Sequence, residues 1–152
     1  MYTGAVVDIS GAQSSESPDR FPIGNGSFGE WEWELIYWLS VRHGPVVMFG
    51  SPESHTGQCP SERLVGPFGW VGDHQSEYDD GSLSVNWLVG EVRAGYDRVV
   101  IECDDGSQFE ASVVDCQDRL GFNIYVAVTR SWPVRVLASA PDGANAVRQW
   151  SP

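Results

Sequence analysis

RVVIECDDGSQFEASVV, residues 98–114, decides the fold class. Val99, Ile101 and Cys103 alternate with Arg98, Val100 and Glu102, and Phe109, Ala111 and Val113 share a face in the second half. Period-two alternation on both sides of an Asp-Asp-Gly turn predicts a β-hairpin. For both apolar sets to fall on one side, paired residues must differ by an even number, which excludes a two-residue loop. A three-residue loop Asp104-Asp105-Gly106, with Gly106 left-handed after a type I turn, satisfies the parity and pairs Ile101 with Phe109. Cys103 then points inward as a small buried hydrophobe rather than a reactive thiol.

The same grammar continues downstream. LGFNIYVAVTR (120–130) alternates Leu120, Phe122, Ile124, Val126 and Val128 against Gly121, Asn123, Tyr125 and Ala127. VRVLAS follows Trp132-Pro133, and a second Asp-Gly turn at 142–143 leads into a last strand ending near Trp150. Upstream, GEWEWELIYWL (29–39) places Trp31, Trp33, Leu35, Tyr37 and Leu39 on one parity and Glu30, Glu32 and Glu34 on the other, interrupted by Ile36 and Trp38. A helix would scatter tryptophan and glutamate around every side, so this is a strand with its glutamates on the solvated face. With VVDI (6–9), VVMF (46–49) and LSVNWLVGEV (83–92), the chain predicts an all-β, antiparallel immunoglobulin-like sandwich of about eight to nine strands with little or no helix. One domain is expected over 1–152, with a flexible connector at 10–29 and a long loop region at 50–82.

A train of segments from VRAGYDRVVIECDDGSQFEASVV through RLGFNIYVAVTR to VRVLASAPDG resembles, over roughly residues 89–145, the C-terminal half of small, uncharacterised β-sandwich proteins of actinobacteria. In that group "V-rVrv-l-DG---ea-v" precedes "g--fyva--p" and "v-A-D--G". The resemblance implies an immunoglobulin-like fold and a bacterial source. It carries no catalytic residues across.

Composition narrows the function. The formal charge is −12, from 21 acidic residues against nine basic ones, all arginine. Such a surface repels phosphate backbones and anionic lipid, so nucleic acid and membranes are not expected partners. The N-terminal residues lack the basic-then-apolar pattern of a secretory leader, and no stretch has the apolar length of a membrane span, so a cytoplasmic protein is expected. Cys59, Cys103 and Cys116 are an odd set of thiols, most simply reduced.

Motifs for chemistry are sparse. GNGSFG (24–29) matches a dinucleotide fingerprint but is followed by a strand instead of a helix, and no kinase signature accompanies it. His55 and Cys59, four apart, with His43 or His74, offer a loose zinc set. Asp73, Glu77, Asp79 and Asp80 form an acidic cluster with oxygen ligands suited to calcium, without the spacing of a calcium loop. His43, His74 and Ser51 lack any nucleophile-elbow context. A resident cofactor is therefore not expected. Seven tryptophans are many for one core, and Ile36, Trp38, Trp70 and Trp132 are the expected aromatic contact patch. The function expected is a non-catalytic module acting through a protein partner or a homo-oligomer; carbohydrate or calcium binding, and a small β-barrel enzyme, are the alternatives.

Overall fold

A computed structural model describes residues 6–7, 19–51, 54–77 and 83–149. Among them are thirteen strands and one four-residue helical turn. The strands are β1 (Val6–Val7), β2 (Arg20–Phe28), β3 (Trp31–Ser40), β4 (Gly44–Ser51), β5 (Ser54–Gln58), β6 (Phe68–Glu77), β7 (Leu83–Val92), β8 (Arg98–Cys103), β9 (Gln108–Glu110), β10 (Ser112–Val114), β11 (Asn123–Thr129), β12 (Pro133–Ser139) and β13 (Asn145–Gln149), with α1 at Gln117–Leu120. All pairings are antiparallel. The all-β, nearly helix-free expectation holds. The strand count exceeds the expected eight or nine, and the chain divides into two compact units, Tyr2–Glu62 and Arg63–Pro152.

The first unit is one sheet in the order β1-β5-β4-β3-β2. The connector expected at 10–29 is, over 20–28, a strand paired along its length with β3; the rest of that connector up to residue 18 lies outside the described residues. One of its glycines, Gly26, serves packing rather than flexibility. A Cβ on Gly26 would stand 2.7 Å from the Trp33 ring, so the indole lies flat on the bare backbone of the neighbouring strand. The expected loop at 50–82 likewise contains β5 and β6. SHTGQ has no apolar alternation to announce a strand, yet β5 is hydrogen-bonded on both sides, to β1 and β4. On one face of this sheet Trp33, Leu35, Tyr37, Val47 and Phe49 are buried; on the other, Ile36, Val46 and Met48 form a separate buried cluster. The strand ends where the predicted alternation does, because the chain turns after Ser40: the Ser40 hydroxyl accepts the His43 amide (3.0 Å) and Gly44 takes a φ of 72°.

The second unit is a two-sheet sandwich, β10-β11-β7-β6 facing β13-β12-β8-β9. Leu88, Val92, Tyr125 and Ala127 of the first sheet meet Val99, Ile101, Val136 and Ala138 of the second in a common core. The hairpin predicted at 98–114 is present in the predicted register. Ile101 pairs with Phe109, the Cys103 amide donates to the Ser107 carbonyl (2.9 Å), and Gly106 has a φ of 85°. The turn at 141–143 repeats this design: the Ala140 amide donates to the Ala144 carbonyl (2.9 Å) and Gly143 has a φ of 91°. Cys103 is buried as expected, and burial pushes its thiol pKa up.

Candidate functional site

Two buried polar groups stand out, since an ionisable side chain inside a core needs a partner. On the first unit's sheet, Glu34 of β3 and His55 of β5 flank Gly50 of β4 in register. Gly50 has no side chain, so the two meet above it, with His55 Nε2 donating to the Glu34 carboxylate at 2.7 Å. The His55 side chain is fully buried while Glu34 is partly exposed. Glu30 and Glu32 are exposed, as the solvated-face reading expects; Glu34 departs from it by bonding to a histidine.

In the second unit, Gly69 and Trp70 of β6 bulge opposite Glu91 of β7. The buried Glu91 carboxylate accepts the Trp70 amide (3.2 Å), and the Gly69 carbonyl accepts a hydrogen bond from the Arg148 guanidinium. A Cβ on Gly69 would fall 2.1 Å from Glu91 Oε1, so glycine is required where the carboxylate lies against the bulge. Glu34 bonds one of the two His55 ring nitrogens, Nδ1 being buried without a partner among the described residues, whereas the Glu91 carboxylate is taken up by the backbone of the bulge.

The sequence-predicted sites are dispersed. His55 and Cys59, four positions apart along an extended chain, stand roughly 13 Å apart, too far to share a metal ion, and His55 is bonded to Glu34 instead. Asp73 is exposed on β6; Glu77 ends that strand, and Asp79 and Asp80 lie outside the described residues. No cluster of three or more potential metal-ligating side chains occurs among the described residues. His43 precedes β4 and Ser51 ends it, roughly 25 Å away, so these two are not brought together; His74 lies on β6 of the second unit.

The aromatic patch needs correction. Ile36 and Trp70 are buried and present no surface. Trp38, packed against Ile36, donates its indole N–H to Asp19 (3.0 Å) and lies under the Arg20 guanidinium, 5.2 Å from the ring centroid. Trp132 alone of the four is exposed, at 48%. Two residues on the polar parity of β3 are thus apolar because that face is also covered.

A different apolar surface emerges on the outer face of the β13-β12-β8-β9 sheet. Val147 pairs with Leu137, Leu137 with Val100, and Val100 with Glu110, so one row crosses all four strands. Val147 is 58% exposed, and Leu137 and Val100 are half-buried, although all three sit on the side opposite the core. The rows on either side are polar, and their charged members are paired. Arg98 bonds to Glu110 (3.0 Å), and Arg135 bonds to Glu102, which also accepts from Gln108 (3.2 Å). Hydrogen bonding from Arg135 and Gln108 lowers the Glu102 pKa. An apolar centre is thus bordered by charged side chains that already have partners. Its sequence signal is the one seen in β3, an apolar residue on the polar parity. Only the register reveals that Val100, Leu137 and Val147 are neighbours.

Comparison of the chain with protein-family models, with curated proteins and with solved structures finds no match. No helix among the described residues is long and apolar enough to cross a membrane.

Proposed function

We propose that the chain is a non-catalytic, immunoglobulin-like sandwich module that works through protein contact, including self-assembly. Strand order supports the immunoglobulin-like reading. Lettered in chain order from β6 as A, B, C, C′, D, E, F and G, the sheets run D-E-B-A and G-F-C-C′, the arrangement of that Greek key. The observation that carries the functional reading is the Val100–Leu137–Val147 row. It is an apolar strip open to solvent on an otherwise strongly acidic chain, and both carboxylates beside it are paired with arginine. A neutral apolar strip is where a highly charged protein can approach another surface without large repulsion.

The test is sedimentation velocity across a concentration series, for wild type and Leu137→Asp. Association in the wild type, lost in the variant with an unchanged circular dichroism spectrum, is expected. A wild type that stays monomeric throughout, or association indifferent to Leu137→Asp, contradicts the proposal. A second reading, glycan binding, draws on the exposed Trp132 and predicts quenching of tryptophan fluorescence by soluble glycans.

A further inference from the structure

β13 is the edge strand of its sheet among the described residues. Its hydrogen-bonding direction follows from the turn: Ala140 and Ala144 form a hydrogen-bonded pair, so the alternation of an antiparallel ladder directs Ala146 and Arg148 toward β12. The amides and carbonyls of Asn145, Val147 and Gln149 consequently face away from the sheet, and all three residues are exposed. Such an edge is a template for another strand.

We propose that the partner is a second copy of this chain, joined through antiparallel β13–β13 pairing about a two-fold axis at Val147. The inference rests on the contact-surface reading above and names its partner. Strand addition must match outward-facing residues with outward-facing residues. Among such registers, one keeps all three paired: Val147 with the copy's Val147, and Asn145 with the copy's Gln149 in both directions. That register is self-complementary, as a two-fold interface requires. It sets Asn145 beside Gln149, whose amides hydrogen-bond one another, and Ala146 beside Arg148, so no like charges meet. Asn145–Gln149 contains no acidic residue, in a chain with 21 of them. Arg148 is turned inward and donates to the Gly69 carbonyl. Val147 side chains on the outer face also extend the apolar row across the axis, from Val100, Leu137 and Val147 of one copy to the same three of the other. A basic protein would have to recognise free carboxylates, and the two on this face, Glu102 and Glu110, are already bonded to Arg135 and Arg98.

The test exploits Val147 being its own neighbour. Val147→Glu and Val147→Lys each set like charges opposite one another, whereas an equimolar mixture sets opposite charges together. The position is exposed, so both monomers fold. Each variant alone is expected to raise the dimer dissociation constant by about tenfold or more, and the mixture to restore a one-to-one heterodimer in native mass spectrometry. Val147→Pro, which removes an amide that faces away from β12, dissociates the dimer without disturbing circular dichroism. A dimer that survives all three variants but disperses with Leu137→Asp overturns edge pairing and leaves the face contact standing. A wild type still monomeric at about 1 mM overturns both.

Discussion

Replacing Gly90 by alanine tests the sandwich packing at its tightest point. Gly90 pairs with Tyr125 on one side and Val71 on the other, and faces the core. A Cβ there would lie 2.4 Å from both Cζ and the hydroxyl oxygen of Tyr125 and 2.6 Å from its Cε2. Normal carbon contacts begin near 3.5 Å, so the ring would have to withdraw by about 1 Å. It has little room to do so: Tyr125 is buried in the core beside Leu88, Ala127 and Val136, and burial holds its phenol well above the ordinary range. Inserting a methyl into a packed core costs about 1–3 kcal/mol, and a rigid aromatic neighbour puts this case at the upper end. The gain from removing a strand glycine, about 0.5–1 kcal/mol, offsets only part of it. Gly90→Ala should therefore lower stability by about 2 kcal/mol and the melting temperature by roughly 4–8 °C. Urea unfolding followed by circular dichroism reads the first and calorimetry the second. Gly66→Ala, where nothing lies within 4 Å of the added carbon, is the control and should be near neutral. If Gly90→Ala unfolds at the wild-type urea concentration, the packing described between the two sheets is wrong.

Further outcomes follow from the polar groups. Removing the Glu34 carboxylate with Glu34→Ala leaves the buried His55 Nε2 without its acceptor and should cost about 1–3 kcal/mol in urea unfolding; an unchanged midpoint refutes the pairing. The hydroxyls of Ser107 and Ser131, with the Ser107 amide, hold the Asp105 carboxyl at about 2, below its ordinary 3.8. Because the folded value is depressed, its contribution is complete above pH 3.8 and disappears as pH falls through about 2. Carboxyl NMR titration should show that midpoint, rising in Ser131→Ala; an ordinary wild-type midpoint sinks the assignment. Burial raises the Cys116 thiol to about 11 from 9.0, so the stability from keeping it neutral is present below pH 9.0 and lost as pH rises toward 11. Cys59, half-buried, should be alkylated at pH 8 well before Cys103 and Cys116, and equal rates would contradict their burial.

How far the sequence revealed this structure depended on which rule each segment obeyed. The 98–114 hairpin was legible to its pairing, because parity and a left-handed glycine leave one loop length, and LSVNWLVGEV matches β7 residue for residue. β2 and β5 were missed because glycine and polar residues carry no alternation. Their stability lies in ladder bonds to neighbours on one or both sides and in Trp33 lying over Gly26. β6 was hidden for a related reason: a bulge at Gly69-Trp70 breaks its period, and the residue that fills the bulge is Glu91, far along the chain. Apolar residues on the polar parity were the hardest to interpret. Ile36 and Val100 both occupy the polar parity of a strand, yet one is buried and the other faces solvent, and only the pairing of whole sheets separates them.

Amide hydrogen exchange of dilute and concentrated protein tests the contact-surface account most directly, because it locates the surface without altering it. The account predicts that concentration slows exchange at Asn145, Val147 and Gln149, whose amides face away from the sheet, while the β6 edge and the turn at 41–43 exchange at unchanged rates. Protection that appears elsewhere, or exchange at those three amides that is independent of concentration, would contradict it.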